Sequence, residues 1–271
     1  MEDSNYVHFL QWALPRLQLR WRGFRKVRRQ VCRRIDRRIA ELKLTGLDSY
    51  RKYLEDTPDE WRILDQFCRI TISRFYRDSV VFDYLGSDVL PALATSVRGK
   101  NIETIRLWSG GCASGEEAYT MAILWHFLML PRFPGLRLEI IATDIDPVMI
   151  RRGKAARYPM SSLRSLPPEW LAGAFEQRNG AYCLKDPFKE SVRFKLLDIR
   201  SQAPAGKFHL IFCRNLALTY FEQDLQLLVL KRFHEKIERG GVLVTGTHER
   251  TGPEMAGFRP WVDHLPIFQK S

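Results

Sequence analysis

Between residues 24 and 42 apolar side chains return at every third or fourth position. Phe24, Val27, Val31, Ile35, Ile39 and Leu42 form one stripe, the spacing of a helix with a single buried face. Arg22, Lys26, Arg29, Arg33 and Arg37 recur at the same spacing on the other side, which predicts a basic ridge facing water. Gly46 is placed to stop that helix and Asp48-Ser49 to start another. Pro58, followed by Asp59 and Glu60, opens a further helix running through Trp61, Leu64 and Phe67 towards Ile70. From about residue 104 the rhythm changes. Short apolar runs at 105–108, 138–143, 192–197, 210–213 and 242–245 read as strands, and 116–130, 147–156 and 222–239 as helices. Such alternation predicts an open parallel sheet with helices on both faces. The stretch 158–190, rich in Pro, Gly and polar residues, is expected to be irregular, with Asn179-Gly180 as a tight turn. The expected organisation is a small all-α domain over residues 1–78 and a doubly wound α/β domain over 79–271.

Composition narrows the class. Apolar residues make up 45% and charged residues 27% of 271 positions, which excludes a disordered chain. No run of 18 apolar residues exists, so membrane insertion is not expected. The opening MEDSNYVHFL lacks the basic start and cleavage site of a secretory signal. Cys32, Cys68, Cys112, Cys183 and Cys213 are scattered without a C-x-x-C pair. A zinc site, or any metal, is therefore not expected, and a reducing cytoplasm is. Residues 16–43 hold twelve Lys or Arg against Asp36 and Glu41, a net +10 of the chain's +12. The charge is a patch, and it calls for an anionic partner.

Three segments carry chemistry. The first, Trp108-Ser109-Gly110-Gly111-Cys112-Ala113-Ser114-Gly115-Glu116-Glu117, follows a strand and opens a helix. Glycines there permit a tight turn and a close approach to a ligand. The spacing is not that of a dinucleotide site. Glu116-Glu117 also sits where a pyrophosphate needs a bare helix N-terminus, so the turn suits a cationic ligand. The second is Ala142-Thr143-Asp144-Ile145-Asp146. Asp144 lies at the strand end, placed for ribose hydroxyls, while Asp146 precedes Pro147 as a helix cap. A cationic nucleoside without phosphate fits S-adenosylmethionine. The third is Phe212-Cys213-Arg214-Asn215, where a buried strand runs into polar residues, with Tyr220 and Phe221 beyond.

Together these segments resemble the CheR family of chemotaxis protein-glutamate methyltransferases. The family pattern W-S-x-G-C-S-[ST]-G-E-E-x-Y is followed by Trp108 to Tyr119 with Ala113 in place of its first Ser after Cys, its A-T-D-I-D is met by Ala142 to Asp146 and its F-C-R-N by Phe212 to Asn215. Its T-N-x-T-x-F-F-R-[ED] frame is followed by Ile70 to Asp78, with Thr71 and Ser73 in place of Asn and Thr. Its near-terminal G-H-S-E corresponds to Gly246-Thr247-His248-Glu249. The resemblance implies a Rossmann-like methyltransferase domain using S-adenosylmethionine and releasing S-adenosylhomocysteine. It implies that Thr71, Ser73 and Arg77 lie over the cofactor. Gly111 and Gly115 form the turn, and Glu116 or Glu117 takes the amino-acid end. Asp144 holds the ribose, Asp198 and Ile199 flank the adenine, and Arg214 and Asn215 complete the pocket. Arg77 and Tyr220 are then the catalytic candidates, with Tyr220 near the transferable methyl group.

A glutamate acceptor ionises at about pH 4.3 in an unstructured peptide, so it is already a nucleophile at neutral pH and needs no general base. No N-P-P-Y-type motif for an amino acceptor is present. The basic ridge, Arg22, Lys26, Arg29, Arg33 and Arg37, is expected to bind an acidic helical region of a chemoreceptor or similar signalling protein. Rival readings are an RNA methyltransferase using the ridge and a non-catalytic cofactor-binding module. Aromatic residues for base stacking are sparse on the ridge, so nucleic acid is not the expected partner. A monomer is expected.

Overall fold

The structure, a computed structural model, describes residues 2–249, 255 and 257–271. Contacts group the chain into two compact units: residues 1–71 with 217–226, and residues 72–216 with 227–271.

The first unit is helical. Helices Glu2–Ala13, Trp21–Phe24, Arg28–Glu41, Leu47–Asp56 and Glu60–Phe67 are joined by the short helix Ala217–Tyr220, contributed from far along the chain. Leu10, Leu14, Phe24, Val31, Ile35, Tyr50, Leu54 and Leu64 are fully buried. The apolar stripe therefore faces a core, but not as one continuous helix. Residues 18–20 are tied to the returning segment: the Arg20 N–H donates to the Tyr220 carbonyl at 2.8 Å and the Glu222 N–H to the Gln18 carbonyl at 2.9 Å. Phe24 packs on Tyr220 with ring centroids 4.9 Å apart. The chain then turns at 25–27 before Arg28–Glu41 brings Val31 and Ile35 into the core. All five ridge residues are exposed, but only Arg29, Arg33 and Arg37 share the long helix. Arg34 and Arg38 turn the other way. Arg34 Nη1 donates to the Phe67 and Arg69 carbonyls at 2.6 and 2.8 Å. Arg38 grips the buried Glu60 with two parallel bonds of 2.9 and 2.8 Å, and the Tyr50 hydroxyl donates to the same carboxylate at 3.0 Å.

The second unit is an α/β sandwich. Its strands are β1 (Thr104–Gly110), β2 (Arg137–Asp144), β3 (Arg157–Tyr158), β4 (Phe175–Arg178), β5 (Ala181–Leu184), β6 (Val192–Leu196), β7 (Phe208–Phe212), β8 (Ile237–Val244), β9 (Phe258–Pro260) and β10 (Ile267–Lys270). Seven form one sheet in the order β6-β2-β1-β7-β8-β10-β9. Pairing is parallel from β6 to β8, and β10 runs antiparallel to both β8 and β9. The five parallel strands match the five expected runs. Helices Glu116–Leu124 and Pro147–Ala155 follow β1 and β2, as their spacing predicts. Helix Ser79–Arg98, with a π turn at Leu85–Val89, precedes β1. It is long and apolar enough to cross a membrane, yet it buries Val81, Phe82, Leu85, Val89, Leu90, Leu93 and Val97 in this core.

The stretch 158–190 is not irregular. It carries helices Met160–Leu163, Pro168–Ala174 and Asp186–Glu190 and, with Arg157, a second antiparallel sheet of order β3-β5-β4. Asn179 and Gly180, with φ of 50° and 73°, make the expected tight turn between β4 and β5. The wedge beside the main sheet is Phe194 of β6. A Cβ placed on Gly115 would lie 2.6 Å from its ring, and one on Gly153 2.5 Å from it.

Candidate active site

The order of the main sheet reverses between β1 and β7, where chain direction leads outward to opposite sides. In open α/β sheets the crevice beyond the carboxyl ends at such a point is where ligands bind. The turn after β1 and the loop after β7 meet there.

The turn is set by backbone bonds. Gly111 and Gly115 have φ of 75° and 88°, conformations that glycine adopts without steric cost. The N–H groups of Gly111 and Cys112 both donate to the Thr143 carbonyl of β2, at 2.8 and 2.9 Å. The Ala113 N–H donates to Asp144 Oδ2 at 2.8 Å, and the Asp146 N–H to Asp144 Oδ1 at 2.9 Å. Asp144 is thus a nearly buried brace between the glycine turn and the end of β2. Asp146 is the helix cap that its place before Pro147 predicts: its Oδ1 accepts the Val148 N–H at 2.7 Å.

Glu116 and Glu117 have different surroundings. Glu116 is buried at 3% exposure. Its Oε1 accepts the Ser114 hydroxyl at 2.8 Å, and its Oε2 is buried with no hydrogen-bond partner among the described residues. A carboxylate oxygen out of water without a donor is costly. Glu117 accepts the Ser109 hydroxyl at 2.7 Å and Arg214 Nη1 at 3.4 Å. Burial raises its carboxyl above the ordinary value, and the neighbouring Arg214, the Ser109 hydroxyl and the Arg77 charge pull it part of the way back.

Arg214 is braced on several sides, while its Nε is buried with no hydrogen-bond partner among the described residues. Its side chain is 4% exposed. Besides Glu117 it donates to the Arg77 carbonyl at 3.1 Å and to Asp78, and its guanidinium lies 5.3 Å from the centroid of the Phe82 ring. Asn215 follows with φ of 53°, beside Gly246. Glu249 joins the two loops here: its Oε1 accepts the Leu216 N–H at 3.1 Å and its Oε2 the Gly246 N–H at 2.6 Å.

The remaining predicted residues divide. Ser73 and Arg77 belong to this unit, both half-buried, and Arg77 Nη1 donates to the Ile72 carbonyl at 2.9 Å. Asp198 follows β6, but its carboxylate accepts the Arg200 N–H at 2.9 Å and Nε at 3.0 Å, so it braces its own turn. Ile199 is buried, 3.6 Å from where a Cβ on Gly110 would be. Thr71 and Tyr220 belong to the helical unit. Sequence reasoning did not single out Asp78, Ser114, Tyr158 or Glu249 for a role. Asp78 and Glu249 were visible as the last positions of two motif frames, whereas Tyr158 had no signal. Among the described residues no group of His, Cys, Asp and Glu is arranged to hold a metal ion.

A parallel sheet with an antiparallel final pairing, a glycine turn leading into two glutamates and an acid-ended second strand define a Rossmann-like methyltransferase. The chain belongs to the CheR family: residues 71–260 match the CheR methyltransferase, SAM binding domain. It is similar to a chemotaxis protein methyltransferase of Listeria monocytogenes, 32% identical over 92% of this chain and 90% of that one. It is also similar to chemotaxis protein methyltransferase 2 of Vibrio cholerae, 30% identical over 88% and 82%. An uncharacterized 104.1 kDa protein of Rhodobacter capsulatus is 33% identical over 81% of this chain, which spans only 23% of that protein's length.

Proposed function

We propose that this chain transfers the methyl group of S-adenosylmethionine to glutamate side-chain carboxylates of a chemoreceptor-like protein, leaving glutamyl methyl esters. The observation that carries the reading is Glu116 Oε2, a buried acceptor without a donor among the described residues, at the mouth of the glycine turn. A cationic amino group matches it and a phosphate does not. Bound there, the cofactor supplies a methyl carbon made electrophilic by its sulfonium.

The residues of this unit take the following roles. Glu116 accepts the ammonium of the cofactor's amino-acid end. Asp144, fixed by two backbone N–H groups at the end of β2, faces the ribose, and Ile199 supplies an apolar wall for the adenine next to Asp198. Arg214, held by Glu117 and Asp78, shapes the floor and keeps Asn215 in place. Arg77 and Ser73 line the approach. The substrate glutamate arrives ionised, so no proton has to be removed. The site contributes orientation and exclusion of water, and well-oriented attack can lower a barrier by roughly 7–11 kcal/mol. On the helical unit Arg29, Arg33 and Arg37, with Arg22 and Lys26 before them, present the charge to draw in an acidic helical segment.

The test is incubation with S-adenosylmethionine labelled on its methyl group and either acidic receptor fragments or RNA. Base-labile label on the protein fragment is expected. Label on RNA, or cofactor binding without transfer to either, overturns the reading.

A further inference from the structure

Tyr158 is the first buried residue of the small sheet, paired with Tyr182 of β5, and none of the roles above uses it. Its hydroxyl donates to the carbonyl of Ser114 at 2.7 Å, across 44 residues of sequence and out of contact with water. Ser114 in turn donates its own hydroxyl to Glu116 Oε1 at 2.8 Å. The chain of bonds therefore runs from the small sheet, through one serine, to the glutamate whose other oxygen has no partner among the described residues. The same ring is packed edge-on against Phe75 at 4.8 Å between centroids, and the Phe75 N–H donates to the Ser162 carbonyl at 3.0 Å. A second link closes the arrangement. Thr120 accepts the Tyr76 N–H at 3.0 Å and donates to the Glu116 carbonyl at 2.6 Å. One tyrosine thus touches the glycine turn, the segment 72–78 and the small sheet.

We propose that Tyr158 is a positioning residue for the cofactor: through the Ser114 carbonyl it fixes the turn so that Glu116 Oε2 faces an incoming ammonium group. The proposal rests on the reading of Glu116 given above. Burial raises the Tyr158 hydroxyl well above its ordinary pKa, so it stays a donor across the physiological range. A donor with no competing water holds the carbonyl in one orientation, which limits the Ser114 hydroxyl to the one acceptor it has. Loosening Ser114 lets Glu116 rotate to another partner, and binding must then bear the cost of returning it.

The test uses the full chain and calorimetric titration with S-adenosylhomocysteine. Tyr158→Phe keeps the ring and removes only the donor. It is expected to weaken binding about three- to tenfold, the range of one neutral hydrogen bond. Ser114→Ala is expected to weaken it by at least as much, and the double variant no further, because both act through one chain of bonds. Tyr119→Phe is the control. Its hydroxyl is equally buried and donates to the Gly153 carbonyl at 3.0 Å, so its loss should lower thermal stability while leaving affinity within about twofold. Affinity of Tyr158→Phe within about twofold of the parent overturns the proposal, as does fully additive loss in the double variant. Parental affinity in Ser114→Ala overturns it whether or not Tyr158→Phe folds. A parent chain that fails to bind S-adenosylhomocysteine overturns the reading of Glu116 as well, whereas the other negative outcomes leave that reading standing.

Discussion

Arg214 Nη2 lies 2.5 Å from Asp78 Oδ2, across 136 residues of sequence. The contact latches the loop after β7 to the end of the segment 72–78, where Asp78 itself sits in the left-handed region with φ of 59°. A guanidinium committed in this way, and to Glu117, is structural support for the site. Arg77, by contrast, is half-buried and donates to a backbone carbonyl.

Arg214→Ala removes the planar fork that reaches two acids and a carbonyl at once. Removing one partner of a buried pair costs about 3–5 kcal/mol. Asp78 is 31% exposed, so Asp78→Ala should cost less, about 1–3 kcal/mol. Urea denaturation of the two variants is expected to rank them in that order.

Asp144 and Asp146 stand two residues apart and should behave differently. Asp144→Ala frees the Ala113 and Asp146 N–H groups and loosens the glycine turn, so affinity for S-adenosylhomocysteine should fall at least tenfold, the effect of about 1.4 kcal/mol. Asp146→Ala removes a helix cap, which costs about 1 kcal/mol of stability, with affinity unchanged. Calorimetric titration paired with thermal melts separates the two.

Glu117 predicts a pH dependence with a definite sign. Its folded pKa is raised above the ordinary value, so the folded state binds the proton more tightly than the unfolded state does. The stability this contributes is complete below the unfolded pKa and is lost as pH rises through the folded one. Relative to Glu117→Gln, the parent should therefore lose stability as pH rises from that ordinary range towards neutrality. Melting both proteins at matched ionic strength from about pH 4 to about pH 8 checks the direction.

The two faces of helix Arg28–Glu41 should separate cleanly. Reversing Arg29, Arg33 and Arg37 to Glu is expected to slow capture of an acidic substrate, an effect that fades with salt because exposed charges are screened over about 8 Å at physiological ionic strength. Stability and cofactor affinity should hold. Arg38→Ala does the reverse. It leaves Glu60, only 3% exposed, with Tyr50 as its remaining side-chain donor, and should cost about 3 kcal/mol or more. Stopped-flow association and denaturation curves read the two outcomes.

The parallel sheet was legible because its strands are short, continuous apolar runs bounded by turn residues, and the glycine turn because its composition is unusual after a strand. The small sheet was not legible. Glu176, Gln177 and Arg178 of β4 are all exposed, so the strand has no alternating stripe, and only Asn179-Gly180 marked it. The ridge was half legible. A spacing of three or four groups Arg33 and Arg37 with Arg29, but it does not reveal the turn at 25–27, which depends on Phe24 finding Tyr220. The partners of Arg214 were not legible, since nothing near it in sequence shows that Asp78 and Glu117 claim it. Residues 217–226 gave no sign of joining the helical unit, because their partners, Gln18 and Arg20, lie far back along the chain, 199 positions in the case of Arg20 and Thr219.

The Phe194 wedge carries a consequence for how this family can vary. Its ring occupies the space that a methyl group on either Gly115 or Gly153 would need. Three positions, one on a strand, one at the start of a helix and one within another, therefore share a single volume. Alanine at residue 153 becomes admissible only beside a smaller residue at 194, and the same exchange at residue 115 meets the added strain of its positive φ. Across homologues, residues 153 and 194 should change together in opposite directions of size, while 115 stays glycine whichever partner is present.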